Sequence, residues 1–554
     1  MVRRLGHRYS TTCRRASASS KERSSMNRFG EFRSMFASLT VGALVLGAVG
    51  CGSDSDARDA DDPPVTSGAA EDVDEEFDRS AVLRVGWYLN PTNLDPLLET
   101  GPNNLALTSV AYDRLTNRTF EGALEPMLAE SWAYNNDGTE LEMQLRSGVV
   151  FHDGTPFDAE AVRANIDRAM TLDGSIGVTA FALVDRVEVV DDLTVRFVSS
   201  SPNALLTSAL ADRAGSMVSP AAFGADLDRL AVGAGPYRMI EHRPGEVTVY
   251  ERFDDYWDPE VAQAASVEIY YMPDAATRAN AIRSGQIDIT HLHAGGLADV
   301  EGAEDLVVET RASSQYYQVA IDWNVAPFGD VRVRRAMAHA IDRDGLCQAI
   351  MFGLCETHSQ VFPSSSFAFD PGIPDDVYGY DPEQARALLA EADLPDGFEF
   401  DLVILAGVPP YAELSEAIKA QFADVGITAN LITMEPARVA EVTFINNEYA
   451  AYLAARATTD PSLSIENYWL PGAPTNFADV TSERLQELYR ASISTGDLDA
   501  RAAVLREASQ EIVDQVMDIV IAYPQYVFVR TDKVLGYQLP DGQSFSVRNV
   551  GIAR

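Results

Sequence analysis

His291 and His293 stand two residues apart in a stretch that reads as extended, so both side chains would leave the same side of a strand and could share a metal ion. No third ligand accompanies them at a recognisable spacing. Gly233-Ala234-Gly235 suggests a phosphate-cradling loop, but Pro236 removes a backbone donor and no third glycine follows, so the dinucleotide pattern fails. Neither a G-x-S-x-G nucleophile elbow nor an H-E-x-x-H zinc motif occurs in the chain. Cys347 and Cys355 lack the surroundings of a papain-type nucleophile, and carboxylates are too abundant for one pair to stand out as a glycosidase acid and base. These residues supply no catalytic constellation, no cofactor motif and no complete metal-ligand set, which leaves an enzyme only as a residual reading.

Charge narrows the partners. The 554 residues hold 83 acidic and 43 basic side chains, a net charge of −40. Nine of the basic and two of the acidic residues lie within the first 50 positions, so the remainder carries 34 against 81, or −47. Such a surface repels phosphate backbones and excludes nucleic acid as a partner class.

The basic cluster from Arg3 to Arg33 precedes an uncharged run, Ser34 to Gly50, that is shorter than the ~20 apolar residues of a spanning helix and ends in small residues. Residues 1–50 therefore read as a secretory leader, with Met26 as an alternative start. Cys51 follows Ala48-Val49-Gly50 and precedes Gly52, Ser53 and Asp54, which resembles a bacterial lipobox and predicts lipidation of Cys51. Residues 51–79, rich in Asp, Ser, Pro and Ala, read as a tether without a core. In the oxidising compartment that this leader implies, Cys347 and Cys355 fit either a disulfide or two separate buried thiols.

Positioning such residues requires elements, and the chain supplies an α/β series. Leu124 to Met170 predicts strand, turn, strand, turn and helix: Asn135 to Gly138 is turn-forming, Leu141, Met143 and Leu145 alternate, and Asp158 is an N-cap for a helix whose apolar face is Ala161, Val162, Ile166 and Ala169. Ala81 to Trp87 predicts a strand and Leu105 to Leu115 a helix. Val267 to Tyr271 with Ala275 to Ile289 reads as strand, helix and strand, and so does Phe398 to Ile432. Gln315 to Asp322 predicts a further strand, Leu498 to Val516 a long helix, and Ile519 to Val529 an extended run through Pro524.

LAESW at Leu128–Trp132, the NDG turn, LRSGVVFHDGTPFDAEAV from Leu145, GAGPY at Gly233–Tyr237, FGDVRVRRAMAHAI from Phe328 and YDP at Tyr380–Pro382 resemble, in this order, the extracytoplasmic solute-binding proteins of family 5, the dipeptide, oligopeptide and nickel class of bacterial ABC transporters. The resemblance runs from about Leu83 to about Leu539. It implies a two-lobe α/β fold of the periplasmic-binding-protein type II class with a hinged cleft. The first lobe would span 80–314 with an inserted subdomain at 115–235, the second 315–518, and 519–554 would return to the first. It also implies a monomer, lipid-anchored outside the cytoplasm, that gives a peptide or similar solute to a transmembrane permease with cytoplasmic ATPase subunits. A nickel complex, an oligosaccharide or an organic anion is an alternative solute, a sensor role an alternative task, and a secreted hydrolase a remote one.

The implied solute contacts are aromatic and polar residues near the lobe crossover: Tyr88, Asn90, Tyr317, Trp323, Asn324, Tyr468 and Trp469. Peptide-binding relatives place an aspartate for the peptide amine three residues before the aspartate of an Asp-Pro pair. Alignment on Asp460-Pro461 puts Ala457 there, so the anchor is missing, while Arg456 beside it would attract a carboxylate or phosphate. A one-residue gap makes Asp460 the anchor instead. Asp153, Gly154 and Asp158 are expected to be structural.

Overall fold

The computed structural model describes residues 77–91, 93–98, 105–119, 123–292, 294–458, 460–473, 475–476, 479–495, 497–539 and 546–554, all within one unit, residues 73–554. The expected leader, Cys51, the expected tether through residue 76 and His293 lie outside the described residues.

Two parallel strand-helix-strand units set the architecture. In the first, Ser266–Tyr271 leads through the helix Ala275–Arg283 to Ile289–Leu292, and both strands run parallel to Val82–Trp87 between them. In the second, Phe398–Leu405 leads through Tyr411–Asp424 to Ile427–Met434, in parallel register from Phe398 opposite Ile427 to Leu405 opposite Met434. Gly397 and Gly426 allow the ends of that unit to meet: a Cβ on Gly397 would fall 1.8 Å from the Gly426 carbonyl oxygen, and both residues have positive φ, 78° and 89°.

One sheet carries both units. Its order is Ile427–Met434, Phe398–Leu405, Ala451–Ala457, Gln315–Ile321, Ile519–Thr531, Ile289–Leu292, Val82–Trp87, Ser266–Tyr271, Val247–Arg252, Tyr237–Arg243. The strand Ile519–Thr531 belongs to both halves. Its start pairs with the second lobe, Val319 opposite Ile519 and Tyr317 opposite Ala522, and its end pairs with the first, Arg311 opposite Tyr526 and Leu292 opposite Val527. The other link is the step from Leu306–Ala312 to Gln315–Ile321. The ladder to Gln315–Ile321 continues through Ala522 and that to Leu306–Ala312 begins at Gln525, so the strand changes partners at about Tyr523–Gln525. Pro524, which lacks a ladder donor, sits at the changeover, and its carbonyl accepts from Ser313 N–H at 3.1 Å in the other link.

The inserted subdomain is a four-stranded antiparallel sheet, Ala129–Tyr134, Glu140–Leu145, Thr194–Ser199 and Val184–Asp191, covered by the helix Ala159–Thr171. Its hairpin closes at Gly138, φ 71°, with Asn135 Oδ1 accepting from the Thr139 and Glu140 amides at 3.0 and 3.1 Å. Asp158 caps the helix by accepting from the Ala161 amide at 2.9 Å, and Val162, Ile166 and Ala169 are buried in the subdomain core with Phe151, Phe157 and Phe197. Separate apolar cores fill the first lobe, around Leu83, Val85, Tyr112 and Ile269, and the second, around Met337, Leu402, Leu414 and Phe422.

Residues 105–115 depart from the expected helix, which is helical only at Leu105–Thr108. The carbonyls that would have continued it are taken from outside: the Gly235 amide donates to Ala111 O at 2.9 Å and the Tyr237 amide to Val110 O at 3.2 Å. The glycines of the GAG run make this approach feasible, since a Cβ on Gly235 would lie 2.6 Å from the Ala111 carbonyl carbon.

Candidate functional site

The switch-point rule places solutes at the carboxyl ends of parallel strands, and here these ends meet the two links between the lobes. Tyr88 follows the strand Val82–Trp87 and is half-buried, its ring 5.3 Å from Trp87, 5.5 Å from His291 and 5.8 Å from the Arg278 guanidinium. His291 is itself buried among Tyr88, Tyr526 and Phe528, so it serves this aromatic cluster. Among the described residues no three His, Cys, Asp or Glu side chains are placed to hold a metal ion. Asn90 is exposed and its Oδ1 accepts from the Gly245 amide at 2.8 Å, which fixes the loop after the first strand.

In the second lobe, Tyr317 is half-buried against Tyr411, rings perpendicular at 5.6 Å, and burial raises its pKa far above the ordinary phenol value. Trp323 lies under the Arg334 guanidinium at 4.1 Å, and the exposed Asn324 donates its amide to Asp322 Oδ1 at 2.8 Å. Tyr468 donates its hydroxyl to Ala457 O at 3.0 Å, whereas Trp469 is 1% exposed inside an apolar cluster with Ile465 and Leu488. Trp469 is thus packed in the second-lobe core, where with Arg456, Tyr468 and Asp518 it also lines a small cavity.

Arg456 is buried beside it. It is 5% exposed and its Nη1 donates to both oxygens of Asp518, at 2.8 and 2.6 Å, while its guanidinium lies 4.7 Å from the Tyr468 ring and 5.3 Å from Trp469. Burial alone would lower the Arg456 pKa, but the adjacent Asp518 charge outweighs it and holds the group protonated. At Asp518 burial prevails and raises the pKa, while Arg456 and Tyr316 Oη, which donates at 2.8 Å, favour its charged form. In this arrangement the Arg456 charge is balanced by Asp518.

Asp460 is equally committed. It caps the helix Pro461–Trp469 by accepting from the Ser462 amide at 2.9 Å, pairs with Arg501 and accepts from Ser208 Oγ at 3.0 Å, at 1% exposure. Burial pushes its pKa up, but the Arg501 charge and hydrogen bonds outweigh that and hold it below the ordinary carboxylate value. In this arrangement its charge is balanced by Arg501. Asp518, Arg501 and Ser208, which fix these two residues, carried no sequence signal, since they lie 62, 41 and 252 positions from their partners.

Cys347 and Cys355 form a disulfide, with Cα atoms 6.0 Å apart, that ties the helix Arg343–Ile350 to Cys355–Glu356, a short strand paired with Tyr523 and Pro524 at the crossing. The Leu354 carbonyl accepts from the Gln525 amide at 2.9 Å, and the Leu354 side chain packs on the first-lobe cluster of Ile282 and Val527.

Comparison with known proteins agrees with this architecture. The chain is similar to the glutathione-binding protein GsiB of Pectobacterium atrosepticum, 27% identical over 480 residues and covering 84% of this chain and 92% of that one. GsiB of Escherichia coli K12 is likewise 27% identical over 492 residues, covering 86% and 94%. Among solved structures, the periplasmic binding protein DppA of Helicobacter pylori in complex with the peptide STSA superposes with a TM-score of 0.74 at 24% identity, over 86% of this chain and 99% of that one. The substrate-binding protein CtaP of Listeria monocytogenes does so with a TM-score of 0.77 at 19% identity, over 86% and 100%. The profile of the bacterial extracellular solute-binding proteins, family 5 Middle, matches residues 123–477, from the inserted subdomain through the Asp460 helix and so across both lobes. With the two links, the shared sheet and this match in hand, the chain belongs to the bacterial extracellular solute-binding proteins of family 5.

Proposed function

We propose that this protein captures a peptide or a small peptide-like solute outside the cytoplasm and delivers it to the permease of an ABC importer, whose ATPase subunits supply the energy. The observation that carries this reading is the double link between the lobes at Ala312–Gln315 and Tyr523–Gln525, the topology of a body that bends around a solute. The glutathione-binding relatives favour a peptide over a sugar or a metal complex. The solute would meet the half-buried and exposed faces of Tyr88, Asn90, Tyr317, Trp323, Asn324 and Tyr468. Lipid on Cys51 would hold the protein at the membrane as a monomer; among the described residues no helix is long and apolar enough to cross a bilayer.

Thermal-shift measurements with glutathione, di- to pentapeptides, oligosaccharides, organic anions and nickel test the solute class. Bound solute stabilises by RT ln(1 + [L]/Kd), so a solute at about 100 times Kd adds about 2.7 kcal/mol. A shift with peptides is expected, and a shift confined to another class would overturn the peptide reading. Cys51→Ser should release the protein from membranes, and its retention would overturn the anchor.

A further inference from the structure

Ser208 lies in the helix Leu206–Leu210 of the inserted subdomain, whereas Asp460 opens a helix of the second lobe, yet Ser208 Oγ donates to Asp460 Oδ2 at 3.0 Å. A second bond joins the same two bodies: the Ala204 amide donates to the Ile493 carbonyl at 3.2 Å. Neither bond uses a residue of the two covalent links. The contact is closed to water, with Ser208 at 2%, Asp460 at 1%, and Ser462 and Ser492 at 0% exposure.

Asp460 is held rigidly by its own lobe. Its Oδ1 accepts from the Ser462 amide and from Arg501, and Arg501 also donates to Ser462 Oγ at 2.8 Å, which in turn shares a 2.8 Å hydrogen bond with Ser492 Oγ. That leaves Oδ2 fixed in direction as an acceptor for a donor arriving from the other lobe. Parting the lobes would break the Ser208 bond and wet one carboxylate oxygen, while leaving the ion pair with Arg501 in place. A hydrogen bond to a charged group contributes more than a neutral one, yet hydration of the freed oxygen returns part of it.

We propose that Ser208 and Asp460 form a closure latch: a positioning pair that stabilises the closed arrangement of the lobes and sets how readily they part, with no contact to solute. The latch acts through geometry alone and is independent of which solute the cleft accepts.

Hydrogen exchange followed by mass spectrometry on the full chain tests this with Ser208→Ala and Ser208→Thr. The latch requires Ser208→Ala to speed exchange about tenfold, equivalent to about 1.4 kcal/mol, in peptides on both faces, 201–210 with the Ala204 amide and 457–466 with the Ser462 amide. Ser208→Thr, which keeps the hydroxyl, should restore the slow exchange. Acceleration confined to 201–210 would reduce the hydroxyl to a local role and overturn the latch. So would failure of the threonine variant to restore protection, or a uniform acceleration of the whole chain with a lowered Tm.

Discussion

Arg456 and Asp460 show what a charged residue becomes when its partner is distant in sequence. Both stood out in the segment Ala451–Trp469 because free charge near a cleft attracts solutes, and both are neutralised by residues that no local pattern indicates, Asp518 and Arg501. Removing one member of such a pair leaves a buried charge alone, at a cost of about 3–5 kcal/mol. Arg456→Met should therefore lower the urea midpoint sharply, and adding Asp518→Leu should recover most of the loss. Failure of the double variant to recover would mean that Arg456 acts through something other than this pair. His152 is a second case. Its Nε2–H donates to Gly235 O at 3.0 Å and its Nδ1 accepts from the Gly233 amide at 3.4 Å, so the neutral ring fits, and burial lowers its pKa to about 4. The folded form then binds fewer protons than the unfolded chain between about 4 and 6.5, so this contribution is complete above pH 6.5 and declines as pH falls toward 4. The loss amounts to about 3 kcal/mol at one pKa unit per 1.36 kcal/mol. Denaturant unfolding from pH 7.5 to 4.5 should show it, and His152→Gln should flatten that part of the profile.

Elements whose determinants lie within a few residues were legible in the sequence. The Asn135–Gly138 hairpin, the Asp158 cap and the alternation of Leu141, Met143 and Leu145 occupy the places expected of them, because turn, cap and facing are decided by neighbours in the chain. The stretch 105–115 departs from the expected helix for the complementary reason: its carbonyls are claimed by Gly235 and Tyr237, more than a hundred residues away, and tertiary hydrogen bonds override helical periodicity. The GAG run, legible as no phosphate loop, thereby acquires a positive role in close backbone packing. Gly235→Ala would drive a Cβ into the Ala111 peptide, 2.6 Å from its carbonyl carbon. A loss of about 1–3 kcal/mol is expected in a melting experiment, and an unchanged Tm would show that the approach of these segments can relax without cost.

For the whole molecule, order of motifs carried more than any one motif. Modest phrases spread from Leu128 to Pro382 located two α/β lobes and an inserted subdomain, and the sheet that joins them bears this out. The precise crossing was not legible, since Ile519–Thr531 is one continuous strand whose change of partners is fixed by pairing with Gln315–Ile321 and Leu306–Ala312. A cleft spanned by two links and latched at Ser208–Asp460 accounts for a protein that binds and releases without covalent chemistry. The central claim, that a peptide-type solute drives the two lobes together, is tested most directly by small-angle scattering during titration with glutathione and with di- to pentapeptides. The radius of gyration should fall with added peptide and level off at saturation; an unchanged radius across the whole peptide set would contradict the account.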